Sequence, residues 1–344
     1  MRVDFAGLAV PDSLTPEGLQ SYQQRVQTME ACGYHSLVMP DTQSIWREMY
    51  VTMTVMGMST QRVKIWPAVT NPLTRHPAVA ASAIASLDEL TGGRAIFNIG
   101  SGDSAVYNLG LKGAKLSTTR EYLVAIKELF AKQETIYRDK TIRLMWPSRP
   151  VPVYVTAEGP KTLQMAGELA DGVLVGTGLQ PDIIQDSLQH IATGARRAGR
   201  DPNDIDVWWF VKWNLDDDKT AAVHEMRMAL TASANHAFRF TLEGKRIPDA
   251  YKDRIRKLHA QYVFSEHESP GEHRRNAQLV DELGLTDYLA ERFTISGSPS
   301  EFRTKITQLA ELGVTKMLMA FFGHSNAATK HQRFATEVMP HFRT

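Results

Sequence analysis

At 344 residues, 43% hydrophobic and 22% charged, the chain is long enough for a sizeable core and too apolar for an intrinsically disordered protein. A formal charge of +1, with Lys and Arg dispersed along the chain, argues against a nucleic-acid or anionic-membrane partner. The single cysteine, Cys32, excludes an intrachain disulfide framework and a cysteine metal cluster.

Short apolar runs alternate with helical patterns almost from end to end. Val3–Val10 is a predicted strand and Thr15–Ala31 a helix closed by Gly33. His35–Met39 is a second strand ending at Pro40-Asp41, and Glu48–Ser59 a Met-rich helix. The strand Val63–Val69 precedes the helix His76–Leu90, which tolerates Pro77 in its first turn and stops at Gly92-Gly93. Ala95–Ile99 is the fourth strand and Ser117–Ala131 the next helix. Thr135–Met145 reads as a hairpin turning at Arg138-Asp139-Lys140. The alternation resumes with Val151–Thr156, the helix Pro160–Leu169, the strand Gly172–Val175, the helix Pro181–Ala198 and the strand Asp206–Asn214. From Lys219 to Leu285 the pattern is helical and charged, without a clear strand. Glu301–Leu312, the strand Thr315–Phe321 and the helix Asn326–Phe342 close the chain. Eight parallel strands and one helical stretch predict an α/β fold, a (β/α)8 TIM barrel with a helical insertion after strand 7 (residues 219–285), organised as one domain over 1–344. No run reaches the roughly 20 apolar residues of a membrane span, and the N-terminal M-R-V-D-F-A-G-L-A-V-P lacks a signal-peptide core, so a cytoplasmic protein is expected.

In such a barrel the functional residues follow the strands. Those positions hold Asp12, Asp41, Thr70-Asn71 with Arg75-His76, Ser101-Gly102-Asp103-Ser104, Glu158-Gly159, Gly176-Thr177-Gly178, Lys212-Trp213-Asn214 and Gly323-His324. Glycines at several of these stops let backbone amides approach a ligand closely. No G-x-G-x-x-G follows the first strand, which removes the main support for a dinucleotide fold. His76 reads equally as a helix cap or as a group facing a ligand; Asp103 and Asp41 read as turn or cap residues, or as polar ligand contacts. Thr91-Gly92-Gly93-Arg94 reads as a helix stop. His259, His267, His273, His324 and His331 show no metal-ligand spacing, so no metal is expected, and Glu266-His267-Glu268 reads as a solvated face. Trp209 and Trp213 share one face of the seventh strand, opposite Trp208. Either core packing or an aromatic wall for a planar ring follows.

The segments T-N-P-L-T-R-H-P (Thr70–Pro77), S-L-D-E-L-T-G-G-R (Ser86–Arg94), N-I-G-S-G-D-S-A (Asn98–Ala105) and Val151–Gly176 resemble the bacterial-luciferase-like superfamily of flavin- and F420-dependent oxidoreductases. The last segment is most similar to its methylenetetrahydromethanopterin-reductase branch. The resemblance implies a cofactor at the C-terminal mouth, lidded by the insertion, and a non-prolyl cis peptide at Ala68-Val69 against the ring. It places Asp41, Thr70, Asn98, Ser101 and Asp103 along the polar edge of the ring. Glu158, Gly159, Gly176 and Thr177 would follow the cofactor's chain and phosphate. Arg75 and His76 are implied as catalytic groups near the mouth, with Trp209 and Trp213 stacking on substrate. The reading this favours is a monooxygenase using reduced FMN, delivered by a separate flavin reductase, and oxygen on a small organic substrate. The alternative is an F420-dependent hydride-transfer enzyme, for which a basic track at the mouth, including Lys212, would hold the cofactor's acidic tail. Two further readings are a flavin-binding protein without catalysis and a cofactor-free barrel using Asp41 with His76. The resemblance also implies a homodimer or higher homo-oligomer.

Overall fold

The computed structural model describes residues 1–147, 149–267, 273–321 and 325–343. Glu268, Gly323 and His324, named above, lie outside them. Among the described residues, eight parallel strands form the central barrel: β1 (Asp4–Leu8), β2 (Ser36–Met39), β3 (Lys64–Pro67), β4 (Phe97–Ile99), β7 (Val153–Ala157), β8 (Gly172–Val175), β9 (Asp206–Leu215) and β11 (Lys316–Phe321). They are ordered β3-β2-β1-β11-β9-β8-β7-β4, and the bridges Ile65–Ala95 and Thr70–Ile99 join β3 to β4 and complete the ring. This is a (β/α)8 TIM barrel.

The predicted hairpin forms outside the barrel as β5 (Glu134–Tyr137) and β6 (Lys140–Arg143). Arg138 and Asp139 both take left-handed φ values, 49° and 60°, the backbone of a type I′ turn that matches strand twist. One strand was not expected: β10 (Thr294–Gly297) follows the insertion and pairs in parallel with Lys212–Leu215 of β9. Four residues between two helices are too few to show a strand period.

Apolar side chains divide by strand parity. One set, including Leu37, Ile65, Phe97, Val155, Val173, Trp209 and Met317, packs outward against the helices. The alternate set, Ala6, Val38, Trp66, Ile96, Tyr154, Leu174, Trp208 and Leu318, fills the barrel interior. The insertion carries an apolar cluster of its own around Leu230, Phe238, Ile255, Leu258, Leu279 and Leu289.

The T-G-G-R segment holds the fold together. The Arg94 guanidinium donates to the carbonyls of Gly57, Thr60, Val63 and Thr91 and to the Thr60 hydroxyl, at 2.7–3.0 Å. Asp88 accepts from the Ala95 amide at 3.2 Å and from Arg149 at 2.6 Å. Glu30 similarly accepts from the amides of Gln61, Arg62 and Val63 at the entry to β3.

His331, against Trp213 and Phe321, should make the fold acid-sensitive. Burial, with a smaller push from Arg25, pulls its imidazole down to about 4. The unfolded chain therefore takes up this proton first. The stability contribution is complete above the ordinary value near 6.5 and is lost as pH falls toward 4, by about 3 kcal/mol at most. Urea unfolding at pH 7 and pH 4.5 should show a smaller pH-dependent loss in His331→Leu than in the parent. An identical loss in both would rule His331 out as a source of acid sensitivity.

Candidate active site

Three loops on the β2, β3 and β4 side of the mouth are locked together by polar contacts. Asp41, buried after β2, accepts from the Thr70 hydroxyl at 2.6 Å and from both terminal nitrogens of Arg75 at 2.6 and 3.2 Å. Arg75 also pairs with Glu48 at 2.8 Å and lies over the Tyr50 ring. Its guanidinium is thereby engaged on two carboxylates, the geometry of a loop brace. His76 is the N-cap of the helix Pro77–Leu90: its Nδ1 accepts from the Ala78 amide, and its exposed ring stands edge-on to Tyr137. The structure thus displays the capping arrangement of His76.

Beside this brace the Ala68–Val69 peptide bond is cis. Asn98, fully buried, donates to the Pro67 carbonyl at 2.9 Å and accepts from the Thr156 hydroxyl at 3.2 Å. One side chain thus ties β3, β4 and β7 beneath the mouth. A Cβ added at Gly100 would stand 3.3 Å from Cγ2 of Val69, a tight contact that presses on that side chain.

The other half of the mouth is built by β7, β8 and the insertion. Ser101, Thr156, Glu158 and Gly159 line a groove of about 810 Å³, whose outer wall is made by His236, Phe240, Gly244 and Lys245. Gly176 is packed against Glu158; a Cβ there would lie 2.9 Å from the carboxylate's Cγ. Thr177 turns toward the helix Pro181–Arg197, its hydroxyl 2.9 Å from that of Ser187 and its carbonyl accepting from Arg292. Lys115, Lys161, His190 and Lys245 contribute basic groups to the groove and Glu158 and Glu243 acidic ones. The helix Pro160–Leu169 begins on this wall with Gly159 as an N-cap that supplies no side-chain bond. Burial pulls the Lys245 ammonium down to about 8 against the attraction of Glu158. Lys212 is not on this track: it is buried and donates to the Ala229 carbonyl of the insertion at 2.9 Å.

Asp103 is where the insertion meets the barrel. Its carboxylate contacts the guanidinium of Arg239 and Nε2 of His236, and Nε2 of His267 stands 3.4 Å away. Arg239 also donates to the Gly102 carbonyl at 2.7 Å. Burial pulls this guanidinium down to about 10. Two sequence expectations are corrected here. His267 is buried and hydrogen-bonded to the Tyr262 hydroxyl rather than solvated. Moreover, histidines do gather, because folding brings together His236 and His267, thirty-one residues apart in the chain. His236 was missed although His236 and Arg239 lie three apart on one helix face, a spacing that lets both reach a single partner.

Trp209 and Trp213 require a third correction. Both are fully buried on the outward face of β9, where Trp213 packs against Phe302, Phe321, His331 and Phe334. Neither stacks in the mouth, because the strand turns Trp208, Phe210 and Lys212 inward instead.

Residues 4–316 match the family model described as luciferase-like monooxygenase. The chain belongs to this luciferase-like family. It is 32% identical over 279 residues to a 5,10-methylenetetrahydromethanopterin reductase of Methanolobus tindarius, covering 79% of this chain and 81% of the relative. It is 25% identical over 342 residues to an F420-dependent glucose-6-phosphate dehydrogenase of Intrasporangium calvum, covering 91% and 92%. Its fold matches the coenzyme F420 dependent tetrahydromethanopterin reductase from Methanopyrus kandleri with a TM-score of 0.73 at 24% identity, over 99% of this chain and 100% of that one. The luciferase-like chain is therefore an oxidoreductase. The expectation of an FMN-dependent monooxygenase is overturned by these relatives, named as a reductase and an F420-dependent dehydrogenase. The strand-end motifs mark the family without separating its cofactors.

Proposed function

We propose that this luciferase-like protein is an F420-dependent oxidoreductase that transfers a hydride between the cofactor and a small organic substrate. The observation that carries this reading is the basic groove leading away from the mouth. Lys115, Lys161 and Lys245 line it beside the open N-terminus of the helix Pro160–Leu169. Such a wall suits an extended anionic chain, which these ammonium groups and orphan amides would hold. When bound, F420 supplies the two-electron hydride chemistry.

The protein's own part is positioning and exclusion. The floor formed by Ala68, Val69, Asn98 and Gly100 is rigid, since Asn98 hydrogen-bonds across it and Asp41, Thr70 and Arg75 brace its edge. The contacts of His236 and Arg239 with Asp103 hold the insertion against the β4 loop and screen that side of the mouth from water. Glu158 and Ser101 present polar atoms at the inner end of the groove.

Titration of the purified protein with F420 and with FMN, followed by fluorescence and calorimetry, tests the reading. F420 should bind more tightly, with an affinity that falls as salt is raised, because the attraction along the groove is screened. Equal or tighter binding of FMN, without salt dependence, would refute it.

A further inference from the structure

We propose that Asp103, His236 and His267 form a three-ligand site for a divalent transition metal of the zinc class, which fastens the helical insertion to the barrel mouth. One donor atom from each residue lies within 4.8 Å of the other two. Nε2 of His267 and the Asp103 oxygen are 3.4 Å apart, close to the separation of about 3.3 Å between neighbouring ligands of a tetrahedral ion bound at 2.0–2.1 Å. His236 contacts the same oxygen and draws back to admit an ion. About a quarter of its side chain is accessible, and admitting the ion requires the ring to turn.

The outer contacts are those of a ligand set. Nδ1 of His267 is 2.5 Å from the Tyr262 hydroxyl, which fixes the ring with Nε2 toward Asp103. The other Asp103 oxygen is held by Arg239, itself anchored on the Gly102 carbonyl. These partners on the non-ligating atoms of His267 and Asp103 orient those two ligands. Two imidazoles and one carboxylate favour zinc, cobalt, nickel or iron over magnesium or calcium, whose sites are built from oxygen. The Arg239 charge opposes the ion, so micromolar affinity is expected rather than the tighter binding of a thiolate site. Three protein ligands leave a fourth position, and His236 also lines the groove, through which water or a ligand oxygen reaches the ion.

Two ligands come from the insertion and one from the β4 loop, so the ion would cross-link them. The full-length, tag-free protein, stripped with a chelator, is titrated with Zn²⁺ by calorimetry and with Co²⁺ by visible absorption, without F420. One equivalent should bind, with the Co²⁺ band of a four-coordinate nitrogen–oxygen site, a raised Tm and slower proteolysis of the insertion. His236→Gln and His267→Gln should each abolish saturable uptake, and Tyr262→Phe, which keeps all three ligands, should weaken it about tenfold. Absence of saturable uptake by the parent overturns the proposal, as does uptake unchanged in His236→Gln. That variant decides alone if His267→Gln does not fold. F420 binding by the stripped protein is measured separately, so the two readings can fail independently.

Discussion

Replacing Lys245 by methionine should weaken F420 binding by roughly 10- to 100-fold, the value of one charge-assisted contact in a partly desolvated site. Lys245 lines both the groove and the small cleft formed with Gly159, Thr177 and Arg292, so it stands where two parts of the anion site meet. Its ammonium is part-buried and donates to the Ala237 carbonyl, and burial, aided by Arg292 and Arg239 and opposed by Glu158, brings it down to about 8. At pH 7 the group is charged and attracts the anion; by pH 9 it is mostly neutral. F420 affinity of the parent should therefore hold below pH 8 and fall above it, whereas Lys245→Met should show a shallower pH dependence at a lower affinity. The folded value is depressed below the ordinary one near 10.5, so the charged lysine costs stability at neutral pH, and that cost fades as pH rises past 8. The methionine variant removes that cost but also the ammonium's hydrogen bond to the Ala237 carbonyl, so its circular dichroism and Tm are measured beside its binding. An affinity unchanged by the substitution would take Lys245 out of the anion site.

Arg292→Met should cost about 2–5 kcal/mol of folding stability, because two buried carbonyls lose their donor at about 1–3 kcal/mol each. Arg292 is fully buried on the helix Thr286–Phe293. It donates to the carbonyls of Thr177 at 3.0 Å and Lys245 at 2.7 Å and to the Tyr288 hydroxyl at 2.8 Å. The rings of Phe238 and Phe293 flank it within 5.5 Å, which suits a planar, weakly hydrated cation. Burial pulls its pKa down against the pull of Tyr288, while its guanidinium satisfies the carbonyls of Thr177 and Lys245. Methionine fills much of the volume and strands those acceptors. Lysine, with one charged atom in place of a fork, should recover only part of the loss. Urea unfolding monitored by circular dichroism measures both; a loss below about 1 kcal/mol for Arg292→Met would show the network to be dispensable. The same variant should loosen the segment carrying Lys245 and Arg246, so its effect on F420 binding should exceed its direct electrostatic share.

What the amino-acid sequence determines by itself is local or periodic. Apolar runs of four to nine residues separated by amphipathic stretches set the barrel, Gly172–Val175 and Pro160–Leu169 form as predicted, and Arg138-Asp139 marked the hairpin turn. The motifs at the strand ends marked the family, and the cis bond at Ala68–Val69 is present. Parity placed Trp209 and Trp213 on one face, but which face turns inward depends on strand tilt around the closed ring, a property of all eight strands together. Only the tertiary structure brought His236, Arg239 and His267 onto Asp103, more than 130 residues earlier in the chain. It likewise turned Lys245 into the groove and buried Lys212 under the insertion. Local backbone preference and side-chain period act over a few residues, and so they are written in the sequence. Charge pairing across a mouth depends on where an insertion folds back, which only the packing of its helices against the barrel decides.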